Sequence, residues 1–380
     1  MKVAIFTDTF YPEINGVART LKKFTDHLSE QHIDFKVFAP KTSSSEYVTE
    51  NIHRFGSLSF FLYPECRIAL PNVMKIKTEL ECFSPDIIHV ATPFNLGLCG
   101  IYFAKKFDIP LVGSYHTDFD QYLAYYELHL LSKWVWSYMA WFHNQLETTF
   151  VPSIETRQQL KERNFKNLKI WPRGVDCQLF HPFYDKSSVR KKYGLSKKYL
   201  LSFVSRLAPE KDVNTLLHIA KTIPQEINKD IEWLWVGDGP IREVLEKEAP
   251  ENVTFTGYLK GKDLAEIYSA SDLFVFPSPT ETFGNVVLEA LASGTPVIGA
   301  DSGGVKNVIT SGKTGFLCAP GEADEYNQAI VHLLSHDSLR WQMGMEGRNY
   351  ALTQRWENIF NQLLSDYHHV IRKVNREIYA

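Results

Sequence analysis

Residues 199–237 read YLLSFVSRLAPEKDVNTLLHIAKTIPQEINKDIEWLWVG, and their pattern recurs along the whole chain. Two short runs rich in β-branched and aromatic residues, at 199–205 and 231–237, flank a longer amphipathic segment. Short apolar runs that alternate with amphipathic segments are typical of parallel strands covered by helices. This stretch therefore predicts one strand–helix–strand unit of an α/β fold.

The same alternation continues in both directions from this stretch. Strands are predicted in the first half at 2–6, 35–39, 86–91, 110–116, 148–152 and 168–172, and in the second half at 199–205, 231–237, 253–257, 273–277, 296–300 and 314–318. Two sheets of about six strands each follow from this pattern.

A break between the two sheets is expected at Trp171-Pro172-Arg173-Gly174, before a polar, basic stretch at 185–198. Beyond it, apolar residues recur at helix spacing from Trp356 to Val374, and a helix of that length needs a surface to cover. We expect it to cross back onto the first domain. The predicted domains are 1–172 with about 357–380, and 173–356. Each is a Rossmann-like, doubly wound domain, and the two face each other across a cleft.

Length and composition agree with this organisation. A chain of 380 residues exceeds what one hydrophobic core usually supports, and 44% apolar with 22% charged residues fits a soluble globular protein. A net charge of −3 argues against binding to nucleic acid. The apolar runs fall short of a membrane span and the N-terminus reads as a strand, so a cytoplasmic location is expected.

Two cations follow the strand at 199–205, in FVSRLAPEKD at 203–212. Ligands of open α/β sheets bind beyond the carboxyl ends of the strands, where Arg206 and Lys211 are predicted to lie. A planar guanidinium and an ammonium suit a diphosphate. The alternative is surface charge, or an ion pair with Glu210.

The strongest local signal is PTETFGNVVLEALASG at 279–294. We place a helix start near Gly284, so that Glu281 precedes the helix and Glu289 lies inside it. Carboxylates accept hydrogen bonds from sugar hydroxyls, and the amides of residues 283–285 at a helix N-terminus can hold phosphate oxygens. A capping carboxylate is the alternative for one of the two glutamates.

The first domain offers weaker candidates. Asn15-Gly16 permits a tight loop before a helix, although a plain turn is an alternative and the G-x-G-x-x-G fingerprint of a dinucleotide site is missing. His116 ends a predicted strand, near Asp118 and Asp120, and is a candidate for the site or a structural histidine.

Glycine turns and an aromatic segment complete the candidates. Gly237-Asp238-Gly239-Pro240 and Ser302-Gly303-Gly304-Val305 are glycine turns after strands, and either could be only a turn. Gly303-Gly304 would also let backbone approach a ligand. The aromatic stretch at 122–142 either binds a lipid or bilayer interface or forms core. Basic residues at Lys22, Lys23 and 190–192 could add attraction to anionic lipid.

Together these motifs resemble the retaining GT-B glycosyltransferases of family 4, and the resemblance covers essentially the whole chain. The motifs that carry it are the Asn15-Gly16 loop, Tyr115-His116-Thr117-Asp118, Arg173-Gly174-Val175-Asp176, Phe180-His181-Pro182, Ser205-Arg206-Leu207 with Lys211, Gly237-Asp238-Gly239-Pro240, and Glu281 with Glu289 eight residues later. The chain is most similar to bacterial α-mannosyltransferase-like members. Relatives often carry Asn-Gly where this chain has Arg173-Gly174.

The resemblance implies roles for these residues. Arg206 and Lys211 would bind the diphosphate of a nucleotide-sugar donor, Glu281 the hydroxyls of the donated sugar and Glu289 those of the ribose. The implied catalytic residues are His116, Arg206, Lys211 and Glu281. The implied donor-binding residues are Asn15, Gly16, Arg206, Lys211, Gly237, Tyr258, Leu259, Glu281, Phe283, Gly284, Asn285, Val286 and Glu289.

The predicted reaction is transfer of a hexosyl group, mannose or glucose, from a GDP- or UDP-linked donor to a lipid or glycan acceptor, with retention at the anomeric carbon. The resemblance implies no bound cofactor and no catalytic metal. Peripheral contact with the inner face of the cell membrane is expected. The alternatives are a non-catalytic two-domain sugar-binding protein and a nicotinamide-dependent oxidoreductase.

Overall fold

The computed structural model describes residues 1–13, 15–41, 50–59, 67–115, 132–281 and 283–378. The chain divides into two compact units, Met1–Pro172 with Ile359–Ala380, and Arg173–Asn358. The division falls between Pro172 and Arg173 and again between Asn358 and Ile359.

The first unit is built on a seven-stranded sheet. Its strands are β1 (Lys2–Phe6), β2 (Asp34–Pro40), β3 (Ile52–Phe55), β6 (Ile87–Val90), β7 (Leu111–Ser114), β8 (Thr148–Val151) and β9 (Leu168–Ile170), and a separate antiparallel pair is formed by β4 (Ser57–Ser59) and β5 (Arg67–Ala69). The sheet order is β3-β2-β1-β6-β7-β8-β9, with parallel pairing throughout. The described helices of this unit are α1 (Gly16–Glu30), α2 (Val73–Phe83), α3 (Asn95–Lys106), α4 (Ser132–His143), α5 (Ile154–Glu162) and most of α15 (Trp356–Ile378).

The last helix, α15, packs on the sheet of the first unit, as the sequence predicts. Phe360 and Tyr367 lie against the ring of Phe24. The Tyr367 hydroxyl is hydrogen-bonded to Nδ1 of His89 in β6, and the other ring nitrogen of His89 lies 2.9 Å from Ser114 Oγ in β7. The C-terminal helix is therefore fixed to two central strands by a buried polar chain as well as by its apolar face.

The second unit contains a six-stranded parallel sheet in the order β12-β11-β10-β13-β14-β15. Its strands are β10 (Tyr199–Val204), β11 (Ile231–Val236), β12 (Val253–Gly257), β13 (Leu273–Phe276), β14 (Val297–Ala300) and β15 (Gly315–Cys318). Its helices are α6 (Lys186–Tyr193), α7 (Val213–Thr222), α8 (Gln225–Asn228), α9 (Arg242–Glu248), α10 (Gly261–Ala270), α11 (Asn285–Ala292), α12 (Val305–Val308), α13 (Ala323–Leu334) and α14 (Asp337–Thr353).

All six strands predicted for the second half are present, and the α/β prediction is confirmed. The central strands are apolar along their length because helices cover both faces, and Trp233 and Trp235 of β11 are fully buried. The prediction missed β3, β4 and β5 in the first unit. These strands are three or four residues long and carry polar residues, so no apolar run marks them.

Within the described residues, no helix combines the length and the apolar character needed to cross a bilayer.

The first unit contains a histidine, His143, that is buried among aromatic side chains. The ring of His143, at the end of α4, packs against Tyr115, Phe142 and Phe165, and its Nδ1 lies 3.3 Å from Thr149 Oγ1. Burial lowers the pKa of His143 to about 3 because the charged ring would lose its hydration. In an unfolded chain the pKa of histidine is about 6.5.

We predict that His143→Phe makes the protein less sensitive to acid. Below about pH 6.5 the unfolded chain binds a proton at His143 that the folded protein does not bind until about pH 3, so stability is lost as pH falls through this window. Between pH 7.5 and pH 5, the free energy of unfolding should therefore fall by about 2 kcal/mol less in His143→Phe than in the wild type. Urea unfolding followed by tryptophan fluorescence at pH 7.5 and pH 5 measures it.

His368→Phe provides the control, since it makes the same replacement at an exposed position of α15. Equal acid sensitivity of His143→Phe and the wild type would contradict the prediction.

Candidate active site

The order of the second sheet changes direction between β10 and β13, which are neighbours although two strands separate them in sequence. The connections from the two strands therefore lead to opposite sides of the sheet and leave a crevice at their carboxyl ends. The loop after β10 contains the predicted cations, and the loop after β13 contains Glu281. The fold therefore places both loops at the switch point of the sheet.

Lys211 and Glu281 meet at this point. Lys211 ends a short 3₁₀ turn, Pro209–Lys211, and its Nζ lies 2.5 Å from Oε1 of Glu281. Each of the two side chains is only 20% exposed. The structure thus brings together a cation and a carboxylate that the sequence assigns to different parts of one ligand.

Arg206 lies in the same loop and forms an ion pair with Glu210. Its side chain is 67% exposed, so the pair is solvated and contributes little to stability. The hydroxyl of Thr280 donates to the carbonyl oxygen of Glu210 at 2.8 Å and joins the loop after β10 to the loop after β13. The alternative considered for Arg206, an ion pair with Glu210, is therefore present in the structure.

The loop after β14 fixes the backbone of Glu281. The amide of Gly304 donates to the Glu281 carbonyl oxygen at 2.5 Å. Gly303 has a φ of +56°, and a Cβ there would lie 2.6 Å from that same oxygen. The glycine pair lets two loops approach closely, and the result is a fixed position for the Glu281 backbone.

Helix α11 begins where the sequence predicts. Gly284, with a φ of +86°, is its N-cap residue, and it has no side chain with which to cap the helix. Phe283 turns its ring into the core and Asn285 is exposed. The amides of a first helical turn have no acceptor within the helix, so those of Asn285 and Val286 are candidate donors to an anion. Thr282 lies outside the described residues.

Glu289 lies inside α11 and accepts a hydrogen bond from the Tyr268 hydroxyl at 3.2 Å. Tyr268 is fully buried, with its ring against Phe180 and Phe274. Burial, together with the Glu289 carboxylate, raises the pKa of Tyr268 well above its usual value. The phenol therefore stays protonated and orients the carboxylate as a hydrogen-bond donor.

The loops after β11 and β12 contain the remaining candidates of this unit. Gly237 has a φ of +138° and donates its amide to the Gly257 carbonyl oxygen at 2.9 Å. A Cβ at Gly237 would lie 1.8 Å from the Ser205 carbonyl oxygen, so this glycine allows the loops after β10 and β11 to pack. Tyr258, after β12, is 66% exposed and Leu259 is half-buried.

In the first unit, Asn15 is the N-cap residue of α1. Its side chain accepts from the Ala18 amide at 2.8 Å and donates to Thr9 Oγ1 at 2.7 Å. Gly16 is the first residue of the helix, and among the described residues no packing neighbour outside the local backbone lies within 4 Å of the position of a Cβ. His116, Asp118 and Asp120 lie outside the described residues.

Two residues that shape the site were missed by the sequence analysis. Tyr268 orients Glu289, and Thr280 joins the loops after β10 and β13. Thr280 adjoins Glu281 in sequence and could have been included on that ground. Tyr268 is far from Glu289 in sequence, and only the packing of α10 near α11 reveals it.

Within the part of the chain that the structure describes, no group of three or more histidine, cysteine, aspartate or glutamate side chains could hold a metal ion.

Family models and related proteins match the chain over nearly its full length. The model described as Glycosyltransferase Family 4 matches residues 14–179, and the one described as Glycosyl transferases group 1 matches residues 185–350. A GDP-mannose-dependent alpha-mannosyltransferase of Mycobacterium tuberculosis is 33% identical, over 97% of this chain and 96% of its own. An alpha-monoglucosyldiacylglycerol synthase of Streptococcus pneumoniae is 30% identical, over 83% of this chain and 75% of its own.

Among solved structures, a sucrose-phosphate synthase from Thermosynechococcus elongatus has the same fold. The TM-score is 0.78 at 20% sequence identity, with 98% of this chain and all of that chain covered.

We predict that Gly237→Ala is far more destabilising than the same change at an open glycine. Gly321 also has a positive φ, +81°, but no atom within 4 Å of the position of a Cβ. Gly321→Ala should therefore cost only the backbone strain, about 1–2 kcal/mol. Gly237→Ala adds a collision with the Ser205 carbonyl and should cost about 3 kcal/mol or more in the free energy of unfolding. Urea denaturation compares the two, and similar losses would refute the packing role of Gly237.

Proposed function

Because the chain belongs to the family 4 glycosyltransferases, we propose that it transfers a mannosyl group from GDP-mannose to a lipid or glycan acceptor, with retention at the anomeric carbon. The name of the mycobacterial relative supports the choice of donor, which the sequence leaves open between GDP and UDP and between mannose and glucose. The observation that carries the proposal is the meeting of Lys211 and Glu281 at the switch point of the second sheet.

Family membership confirms two predictions from the sequence, that the chain is a hexosyltransferase and that its fold is GT-B. The alternatives of a non-catalytic sugar-binding protein and of a nicotinamide-dependent oxidoreductase do not fit this family.

The donor diphosphate is assigned to three groups of the second unit. Lys211 supplies a point charge, and Arg206, which is largely solvent-exposed, can turn its planar guanidinium toward phosphate oxygens. The first-turn amides of α11 add the positive end of a helix. As the bond between sugar and phosphate breaks, negative charge grows on the leaving diphosphate, and these groups stabilise it.

The carboxylates are assigned to hydroxyl groups at the two ends of the diphosphate. Glu281 accepts hydrogen bonds from the transferred sugar and Glu289, oriented by Tyr268, from the ribose. The backbone at Tyr258-Leu259 is proposed to meet the base. The roles of Asn15, Gly16 and His116 remain predictions.

Retention is proposed to arise when the acceptor attacks from the face that the diphosphate leaves, with a phosphate oxygen taking the acceptor's proton. Double displacement is the competing route to the same stereochemistry. No divalent metal is assigned to either.

The acceptor side is proposed to touch a membrane through α4. Trp134 is 78% exposed, Trp141 is 53% exposed and Tyr138 is partly exposed on the same helix, while Phe142 is buried in the core. Aromatic side chains of this kind favour the interface between lipid and water. The streptococcal relative is named for the synthesis of a monoglucosyldiacylglycerol, which supports a lipid acceptor. The predicted aromatics at 122–131 lie outside the described residues.

We predict that the double variant Arg206→Ala, Lys211→Ala loses kcat/KM for GDP-mannose by about 100-fold or more, since each removed cation stabilises the leaving diphosphate. A thermal-shift panel of GDP- and UDP-linked mannose and glucose identifies the donor by its stabilisation of the folded protein. Release of GDP on addition of acceptor measures turnover.

Lys221→Ala is the control for this prediction, because Lys221 forms an exposed ion pair with Glu248 in the same unit. Unchanged kcat/KM in the double variant would overturn the assignment of the cations. If EDTA abolished turnover and added Mg²⁺ restored it, the proposal that the reaction needs no divalent metal would be wrong.

We predict that the protein sediments with anionic phospholipid vesicles, and that replacing both Trp134 and Trp141 by serine weakens this binding by about tenfold or more. Trp341→Ser is the matched control, since Trp341 is 71% exposed but lies in the second unit. Absence of vesicle binding by the wild type, or equal loss in the control, would contradict the proposed membrane contact.

A further inference from the structure

The ion pair between Lys211 and Glu281 joins two residues that the proposed function assigns to opposite sides of one bond in the donor. Lys211 belongs to the diphosphate and Glu281 to the sugar, yet Nζ and Oε1 are 2.5 Å apart. A diphosphate that approaches Lys211 must therefore share this cation with a carboxylate of the same sign as its own charge.

The pair is held by the backbone as well as by charge. The Glu281 carbonyl oxygen accepts from the Gly304 amide, and Gly303 lies against it. On the other side, the Lys211 amide donates to the Ala208 carbonyl oxygen at 3.0 Å. With both backbones fixed and both side chains four-fifths buried, the carboxylate cannot move far from the cation.

The two nucleotides of the reaction meet this pair differently. The intact donor offers phosphate oxygens to Lys211 and sugar hydroxyls to Glu281, so that both charges gain partners. The spent nucleoside diphosphate offers phosphates alone, and Glu281 then competes for Lys211 and repels the phosphates.

We propose that the Lys211–Glu281 ion pair discriminates between intact donor and spent nucleotide, with Glu281 acting as a built-in competitor that weakens the hold on the nucleoside diphosphate product. This inference rests on the proposed function. It gives Glu281 a second role, separate from contact with the sugar, that favours release of the product.

The test exploits the fact that GDP has no transferred sugar. Glu281→Gln removes the charge and keeps the shape, so GDP should bind about fivefold more tightly than to the wild type. GDP-mannose loses a contact to its sugar and should not share this gain. Isothermal titration calorimetry with GDP and with GDP-mannose, in the absence of acceptor, measures both dissociation constants.

Two further variants make the result specific. In a Lys211→Ala background, Glu281→Gln should change the affinity for GDP less than in the wild type, because the cation for which it competes is gone. Glu248→Gln is the control, since Glu248 forms an exposed ion pair with Lys221 in the same unit. Glu281→Ala also removes the charge and serves as a second variant if the glutamine protein does not melt cooperatively.

An affinity for GDP that is unchanged or weaker in Glu281→Gln would overturn the inference. If GDP-mannose also bound more weakly to that variant, contact with the sugar would be the role left for Glu281. A wild type that binds neither GDP nor GDP-mannose would instead overturn the proposed donor, and the inference with it.

Discussion

Parallel pairing of the strands is the constraint on which the candidate site depends. In a parallel sheet every strand ends at the same edge, so the loops after β10, β11, β12, β13 and β14 are neighbours although they are far apart in sequence. Because helices cover both faces of the sheet, a ligand can reach the charged side chains of these loops at that edge. The reversal of strand order between β10 and β13 adds a crevice, and the loops that contain Lys211 and Glu281 lie there.

Close approach of these loops depends on glycine. Gly237 passes the Ser205 carbonyl and Gly303 passes the Glu281 carbonyl at distances that leave no room for a Cβ. Backbone amides then donate across the gaps, as Gly304 does to Glu281. Backbone hydrogen bonds between the loops therefore hold the charged residues in place. Substituting a charged side chain should change the affinity for a ligand more than it changes the fold.

The sequence predicted the core of this arrangement because buried parallel strands are marked by apolar runs, as at 199–205 and 231–237. It also predicted that α11 starts near Gly284, which is the N-cap residue of that helix. It could not predict β3, which is short and polar, or the pairing of Lys211 with Glu281, which depends on which strands are neighbours. The hydrogen bond from Tyr268 to Glu289 could not be predicted for the same reason. In the sequence, a buried tyrosine of α10 cannot be distinguished from any other core residue, and only the packing of α11 beside α10 shows the contact.

A site that binds a doubly charged diphosphate could be built with unpaired cations, and affinity would then be high for any nucleoside diphosphate. This chain instead sets carboxylates against both of its cations, Glu210 against Arg206 and Glu281 against Lys211. The paired arrangement lowers the positive potential at the site, so under the proposed function we expect diphosphate alone to be a poorer ligand than diphosphate joined to a hydroxyl-bearing sugar. A transferase that must bind its donor and then release a product with the same phosphates needs that difference, and affinity for phosphate alone would oppose it.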